Sequence, residues 1–472
     1  MERTEEFLAG IPHKASFRDP AGFVYHRDGV LYRQVNACYR LEYNKLMESG
    51  LYEELINKKW LVPHSEIDGP GLTKRAYKIL QPSKMNFISY PYEWCFSQLK
   101  DAALRTLDIQ DMAMDYDMTL KDASSYNIQF AESGPIFIDT LSFKTYQEGS
   151  PWEAYRQFCQ HFLAPLALMS KADVRLSQLL RAYIDGIPLD IASKLLPFST
   201  RFDSGLLFHI HLHARMQRKH AASGANVKHK NSRRVSISKT GLKGIIASLR
   251  KAIGRLNWEP VGTEWVDYYQ STNYSDTSLK EKTRLVKEFL LRVNPKMVWD
   301  LGANTGQFSR IATSQGALAI AFDVDMGAVE VNYRKVSAES VALLPLVVDL
   351  TNPTPSLGWH SSERDSLIAR GPADCVLALA LIHHLAISNN LPFDLVACFL
   401  ADVSRNLIIE YVPKDDSQVQ RLLSSRIDIF ESYTIEAFEK AFEKYFSIVD
   451  KRALSGSDRT LYLMTNKTTV KR

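Results

Sequence analysis

Apolar and polar positions change period several times along the chain, and the changes fall into two halves. In the C-terminal half, helical spacing over Ser278–Val293 gives way to short apolar runs that alternate with further helical stretches. The runs are Met297–Leu301, Ala317–Phe322, Leu343–Val348, Cys375–Leu381 and Leu407–Val412; a helix near Thr434–Lys444 and two strands, Phe446–Ala453 and Thr460–Thr465, close the chain. Strands alternating with helices predict an α/β domain, a doubly wound, mostly parallel Rossmann-like sheet covered on both faces. Ligands of such sheets lie beyond the carboxyl ends of the strands. The N-terminal half reads as α+β. A hairpin over 17–35 turns around His26-Arg27-Asp28-Gly29, a helix covers Leu41–Leu55, Met85–Tyr90 is strand-like and a helix covers Glu93–Leu107. Most of Trp152–Arg215 is helical; His209, His211 and His213 alternate there without a nearby carboxylate, which predicts a packed helix and no metal site.

Composition narrows the class. With 45% apolar and 24% charged residues in 472, most of the chain has the means for a packed core. The five cysteines show no C-x-x-C pair, which argues against a disulfide framework or a structural zinc site. The acidic start MERTEEFLAG is unlike a signal peptide, and the strongest apolar stretch, Cys375–Ile382, is too short for a transmembrane segment. The expectation is a soluble, cytoplasmic protein. Charge then divides the chain: between Asp203 and Glu259 there are 12 Lys and Arg and no Asp or Glu. This predicts a domain over 1–216, a basic linker and amphipathic helix over 217–257, and a second domain over 258–472. The stripe of Leu242, Ile245, Ile246, Leu249, Ile253 and Leu256 is expected to pack on the following domain. A contact of 215–255 with nucleic acid or another anionic surface is the alternative.

Candidate chemistry gathers at the strand ends. Trp299-Asp300-Leu301-Gly302-Ala303-Asn304-Thr305-Gly306 is a strand running through a glycine-bearing turn into a helix. Glycines there allow positive φ and close approach of a ligand, and the helix start aims N–H groups at it. Asp323 ends the second strand, placed for a ribose diol, and Asp349 ends the third, near where an adenine amino group would lie. Together, WDLGANTG, FDVD, VVDL and LALALIHHL resemble a class I S-adenosylmethionine-dependent methyltransferase from about Trp258 to the end. The resemblance implies that Asp300, Gly302, Asn304 and Gly306 line the methionine part of S-adenosyl-L-methionine, with Asp323 on the ribose and Asp349 on the adenine. Asn304 stands where the family more often has a glycine. His383 and His384, after the fourth strand, are candidates for removing a proton from the acceptor, and Glu410, ending the fifth, for touching it. No [DN]-P-P-[YF] follows the fourth strand and no Pro-Cys pair offers a nucleophile, so amine and pyrimidine-carbon acceptors are disfavoured. The expected reaction is O-methylation of a small molecule or glycan intermediate. An aromatic segment, 265–274, is a candidate lid.

In the N-terminal half, Asp122 and Asn127 have D-x-x-x-x-N spacing and Asp139 ends a strand 12 residues later. This resembles the kinase and aminoglycoside-phosphotransferase superfamily, which implies an acceptor-orienting Asp122, magnesium held by Asn127 and Asp139, and ATP as substrate. The pattern departs from it at Leu120, where a histidine is usual, and at Thr140-Leu141; no third-strand lysine is evident, Arg33 being the nearest basic residue. The arrangement as a whole, including DASSYN and LIHHL, is similar to bacterial methyltransferase-like proteins of the nodulation-associated NoeA type. Three rivals stay open: an RNA methyltransferase using the basic linker, a bifunctional kinase–methyltransferase, and a non-enzymatic interaction protein with a pseudokinase domain.

Overall fold

The computed structural model describes residues 10–222, 236–260, 276–424 and 426–468. The candidate lid 265–274 and the middle of the basic linker lie outside them. The chain divides into two compact units, Met1–Trp258 with Leu357–Arg364, and Glu259–Ser356 with Asp365–Arg472.

In the first unit, strands β1 (Ile11–Pro12), β2 (Gly22–Arg27), β3 (Val30–Asn36), β4 (His64–Ile67) and β5 (Ala76–Pro82) form an antiparallel sheet ordered β1-β2-β3-β5-β4. The β2–β3 turn is the Asp28-Gly29 pair, both at positive φ, which suits a tight hairpin. The expected helix over Leu41–Leu55 is two, α1 (Arg40–Glu48) and α2 (Leu51–Asn57), because Gly50 at φ 87° breaks the first. Met85–Tyr90 is not a strand. The main-chain groups of Ser89 are met by a side chain, with Gln129 Oε1 accepting from its N–H at 2.9 Å and Gln129 Nε2 donating to its carbonyl at 3.0 Å. A long helix, α3 (Phe96–Asp115), then precedes two small hairpins. One pairs β6 (Met118–Leu120) with β9 (Phe143–Thr145), and the other pairs β7 (Ile128–Ala131) with β8 (Gly134–Phe137).

The basic amphipathic helix α4 (Lys239–Gly254) corrects the sequence reading. It packs on the preceding unit, burying Leu242, Ile246, Leu249 and Ile253 there. Its cations meet a row of acids on α3: Lys243 pairs with Asp115 at 2.5 Å and with Asp111 at 3.5 Å, and Arg250 pairs with Asp108. Lys100 on α3 caps the other end, donating to the carbonyls of Gly254 and Leu256 at 3.2 and 2.8 Å. With Lys239 on Asp117, three of the twelve cations of this segment are thus paired with carboxylates inside the unit. The three alternating histidines are packed, as expected: His209 bonds Tyr155 and Ser248, His211 bonds Ser193 and Thr200, and His213 stacks on Tyr155.

The second unit carries a seven-stranded sheet ordered β12-β11-β10-β13-β14-β16-β15. Its strands are β10 (Met297–Leu301), β11 (Leu318–Asp323), β12 (Leu343–Val347), β13 (Ala373–Ala378), β14 (Ser404–Tyr411), β15 (Phe446–Ala453) and β16 (Thr460–Asn466). The first five pair in parallel, and the last two form an antiparallel hairpin added to β14. The parallel strands are apolar almost throughout, as strands covered on both faces must be. Pro345 is tolerated inside β12 because that strand is the sheet edge. Helices α5 (Asp276–Val293) and α6 (Gln307–Thr313) cover one face, where Leu285, Val286, Phe289 and Phe308 pack with Val298, Leu377 and Ile408. Helix α7 (Met326–Glu339) links β11 to β12. Strand order reverses between β10 and β13, so the carboxyl ends of these two strands flank the place where a ligand is expected. Among the described residues no helix is long and apolar enough to cross a membrane.

Candidate functional site

The turn after β10 is tied to β11. The N–H groups of Gly302 and Ala303 both donate to the Phe322 carbonyl, at 2.9 and 3.0 Å. Gly302 (φ 74°), Asn304 (φ 50°) and Gly306 (φ 78°) are left-handed. Asn304 is among the few residue types that adopt this conformation readily, which explains how it replaces a glycine. Its N–H donates to Asp323 Oδ2 at 2.7 Å, and Asp325 N–H donates to Oδ1 at 2.9 Å. The Asp323 carboxylate therefore faces the turn. Burial pushes its pKa up to about 6, against the hydrogen bonds that favour the anion.

Two residues of the turn also have contacts within the protein. Asp300 is buried beneath it, accepting from Ser309 Oγ at 2.6 Å, and burial reinforced by the charge of Asp323 raises it to about 6. Its carboxylate braces the turn against α6. A Cβ on Gly306 would fall 2.5 Å from the Asn332 amide and 2.8 Å from Arg310, so this glycine is bare to admit neighbouring side chains. Gly302 differs: its nearest neighbour is Leu381 Cδ1, 3.3 Å from where a Cβ would stand. Asp349 follows β12, half-buried, with Oδ1 accepting from the N–H and hydroxyl of Thr351 at 2.8 and 2.7 Å.

Beyond β13, Ala380 adopts φ 50°, costly for alanine, and its N–H donates to Glu410 Oε2 at 2.8 Å. His383 follows, 1% exposed, with neither ring nitrogen hydrogen-bonded; its ring centroid lies 4.2 Å from that of His384. Burial holds both imidazoles neutral. His384 is lowered to about 4 and His383 well below its ordinary value, with the charges of Arg459 and, for His383, Lys282 adding to the effect. A buried orphan imidazole is costly for a folded chain, and it marks a place where a hydrogen-bonding ligand would be welcome.

Glu410, the other candidate for acceptor contact, is engaged within the protein. It is fully buried, Oε2 pairs with Lys282 Nζ at 2.6 Å, and Oε1 lies 3.7 Å from the Arg459 guanidinium. Arg459 in turn pairs with Asp416 at 2.8 Å. Lys282 and Arg459 are absent from the sequence reading. The signal for Lys282 was present, since it interrupts the apolar stripe Leu279, Leu285, Val286, Phe289 of α5; Arg459, in a hairpin turn, gives none.

The N-terminal candidates also come together. Asn127 hydrogen-bonds Asp122, whose pKa is raised, chiefly by burial and also by the charge of Asp139. Asn127 Nδ2 donates to Ser142 Oγ at 3.3 Å. Asp139 forms an ion pair with Arg33 of β3, accepts from the Ser142 hydroxyl and accepts from Leu141 N–H at 3.2 Å. Burial works against its charge, but Arg33 and the hydrogen bonds hold it below the ordinary carboxylate value. A protein cation thus stands where the resemblance implies magnesium, and the donor set does not fit that ion as arranged. Among the described residues no group of three or more His, Cys, Asp or Glu is arranged to hold a metal. The Arg364 guanidinium lies 4.0 Å from the centroid of the Tyr126 ring.

No family model matches the chain. It is 37% identical over 454 residues to the nodulation protein NoeA of Rhizobium meliloti (strain 1021), covering 95% of this chain and 94% of that protein. Among solved structures, a likeness at 19% identity and TM-score 0.30 covers 41% of this chain and 41% of WbdD. The N-methyltransferase NodS from Bradyrhizobium japonicum WM9 is 10% identical with TM-score 0.31, over 41% of this chain and 98% of NodS. Magnesium protoporphyrin IX methyltransferase (ChlM) from Synechocystis PCC 6803 is 18% identical with TM-score 0.30, over 44% of this chain and 91% of ChlM.

Proposed function

Because the chain belongs to the family of the nodulation protein NoeA, we propose that its second unit is an S-adenosylmethionine-dependent methyltransferase that acts on an oxygen of a small molecule or glycan intermediate. The observation that carries this reading is the left-handed Gly302–Gly306 turn with the Asp323 carboxylate facing it, at the point where strand order reverses. Bound there, S-adenosylmethionine supplies a methyl group already activated on a sulfonium. Asp323 would hold the ribose diol, Asp349 the adenine side, and the bare Gly302 turn the methionine end.

What remains for the chain is alignment of the acceptor, exclusion of water and the acceptor's proton. His383 suits the last task. Being neutral and unpartnered, it can accept a hydrogen bond from an acceptor hydroxyl or carboxyl without first losing a proton. The RNA reading has less to draw on at α4, where Lys243 and Arg250 are paired with Asp115 and Asp108. The phosphotransfer reading has Arg33 on Asp139 against it.

The test is isothermal titration of the full chain with S-adenosylmethionine. Saturable binding at one site per chain, abolished or greatly weakened in Asp323→Ala, is expected. Absence of heat from the folded chain would sink the proposal.

A further inference from the structure

Four observations meet at the end of β13. Ala380 is held at φ 50° although it is not a glycine, and its N–H is donated to Glu410. The same carboxylate oxygen is gripped by Lys282, whose ammonium also lies 4.9 Å from the Phe308 ring centroid, while Arg459 stands on the other oxygen. One residue on from Ala380, Leu381 is packed on the bare face of Gly302. Three residues on, His383 is buried with neither nitrogen bonded.

A buried ion pair is weak evidence for stability, because removing charges from water costs about what their attraction returns. Such a group is better explained by what its geometry fixes. Here the fixed object is a backbone conformation that alanine avoids, and strain of this kind persists only where surrounding structure over-determines it. Glu410 supplies that determination, from a strand whose own position is set by the sheet. Lys282 and Arg459 hold it in place from α5 and from the β15–β16 hairpin.

We infer that Glu410, clamped between Lys282 and Arg459, is a positioning residue: through the Ala380 N–H it sets the turn after β13 so that Leu381 sits on Gly302 and His383 is presented, unpartnered, to the acceptor. The setting of the turn stands on geometry alone; its effect on cofactor and acceptor rests on the methyltransferase reading. The residue the sequence suggested as an acceptor contact acts one step removed, by aligning the segment that makes contact.

The experiment has two readouts on the full chain: hydrogen exchange of a peptide spanning 380–388, and titration with S-adenosylmethionine. Glu410→Gln should speed exchange of that peptide and weaken binding, each by about tenfold, the ratio that corresponds to losing the hold on a left-handed alanine. Adding Ala380→Gly to Glu410→Gln, with Ala380→Gly alone as baseline, should bring both back to within about threefold, since glycine adopts the conformation unaided. Ala380→Val leaves the ion network untouched and should open the same peptide, so it decides the matter if Glu410→Gln does not fold. Unchanged exchange in Ala380→Val, or a folded Glu410→Gln that Ala380→Gly fails to restore, overturns the inference. If the unmutated chain does not bind S-adenosylmethionine, the functional reading falls, and the exchange arm still decides whether Glu410 sets the turn.

Discussion

The Asn304 amide and the Asp323 carboxylate are joined at 2.7 Å across the ends of two parallel strands. The bond locks the first turn of the sheet to the second and leaves a carboxylate whose proton is released only near pH 6. Stability linkage follows in sign. An acid at about 6 when folded and at its ordinary 3.8 when unfolded adds stability that is fully present below about 4 and lost as pH rises through 6. Asp300, also at about 6, adds in the same direction.

Ligand affinity should run the opposite way. A ribose diol donates more strongly to the anion, so S-adenosylmethionine should bind about tenfold more tightly at pH 7 than at pH 5. Titration calorimetry across that range checks this, and Asp323→Asn should flatten the profile.

His383 carries a stability cost that an apolar residue would not. In ligand-free protein, His383→Leu should raise the unfolding free energy by about 1–2 kcal/mol, since it removes two unsatisfied ring nitrogens, and it should abolish methyl transfer. Urea unfolding measures the first. A destabilised His383→Leu would mean that the ring is bonded in solution.

Acid should act on the neighbouring ring. His384, at about 4 when folded, stays neutral while the unfolded chain takes up a proton near 6.5, so its contribution is lost as pH falls from 6.5 toward 4. His384→Gln should therefore be less acid-sensitive than the parent over that window in thermal melts at matched ionic strength.

The Arg33–Asp139 pair is mostly buried, and breaking one side should cost more than removing both. Arg33→Ala should lose about 1–3 kcal/mol and Arg33→Ala with Asp139→Ala less, since the single variant strands a carboxylate. Denaturant titration of the three variants completes the cycle. A double variant that costs the sum of the two single variants would show that the two side chains are not coupled.

Much of the second unit was legible in the sequence, because parallel strands buried on both faces announce themselves as apolar runs. Met297–Leu301 and Phe446–Ala453 have the bounds the pattern predicts. The turn from Gly302 to Gly306 was visible because left-handed backbone selects glycine and asparagine. What was not legible depends on contacts across long stretches of chain. Glu410 looked like a group open to a ligand, since nothing local shows that Lys282, 128 residues earlier, closes on it. The stripe on α4 showed that the helix packs, but a stripe does not name its partner; the acids on α3 do. Met85–Tyr90 has a strand's composition, yet the Gln129 amide takes the place of a ladder at Ser89.

The placement of α4 bears on how the protein can be divided. A fragment stopped near residue 216, where the basic run begins, would lack the helix that covers the acidic side of α3. It would expose both the surface that Leu242, Ile246, Leu249 and Ile253 cover and an unbalanced row of aspartates. Expression boundaries, limited proteolysis and domain exchange between relatives should not cut at the start of the charge run, since the first unit continues through Trp258 and also takes in Leu357–Arg364.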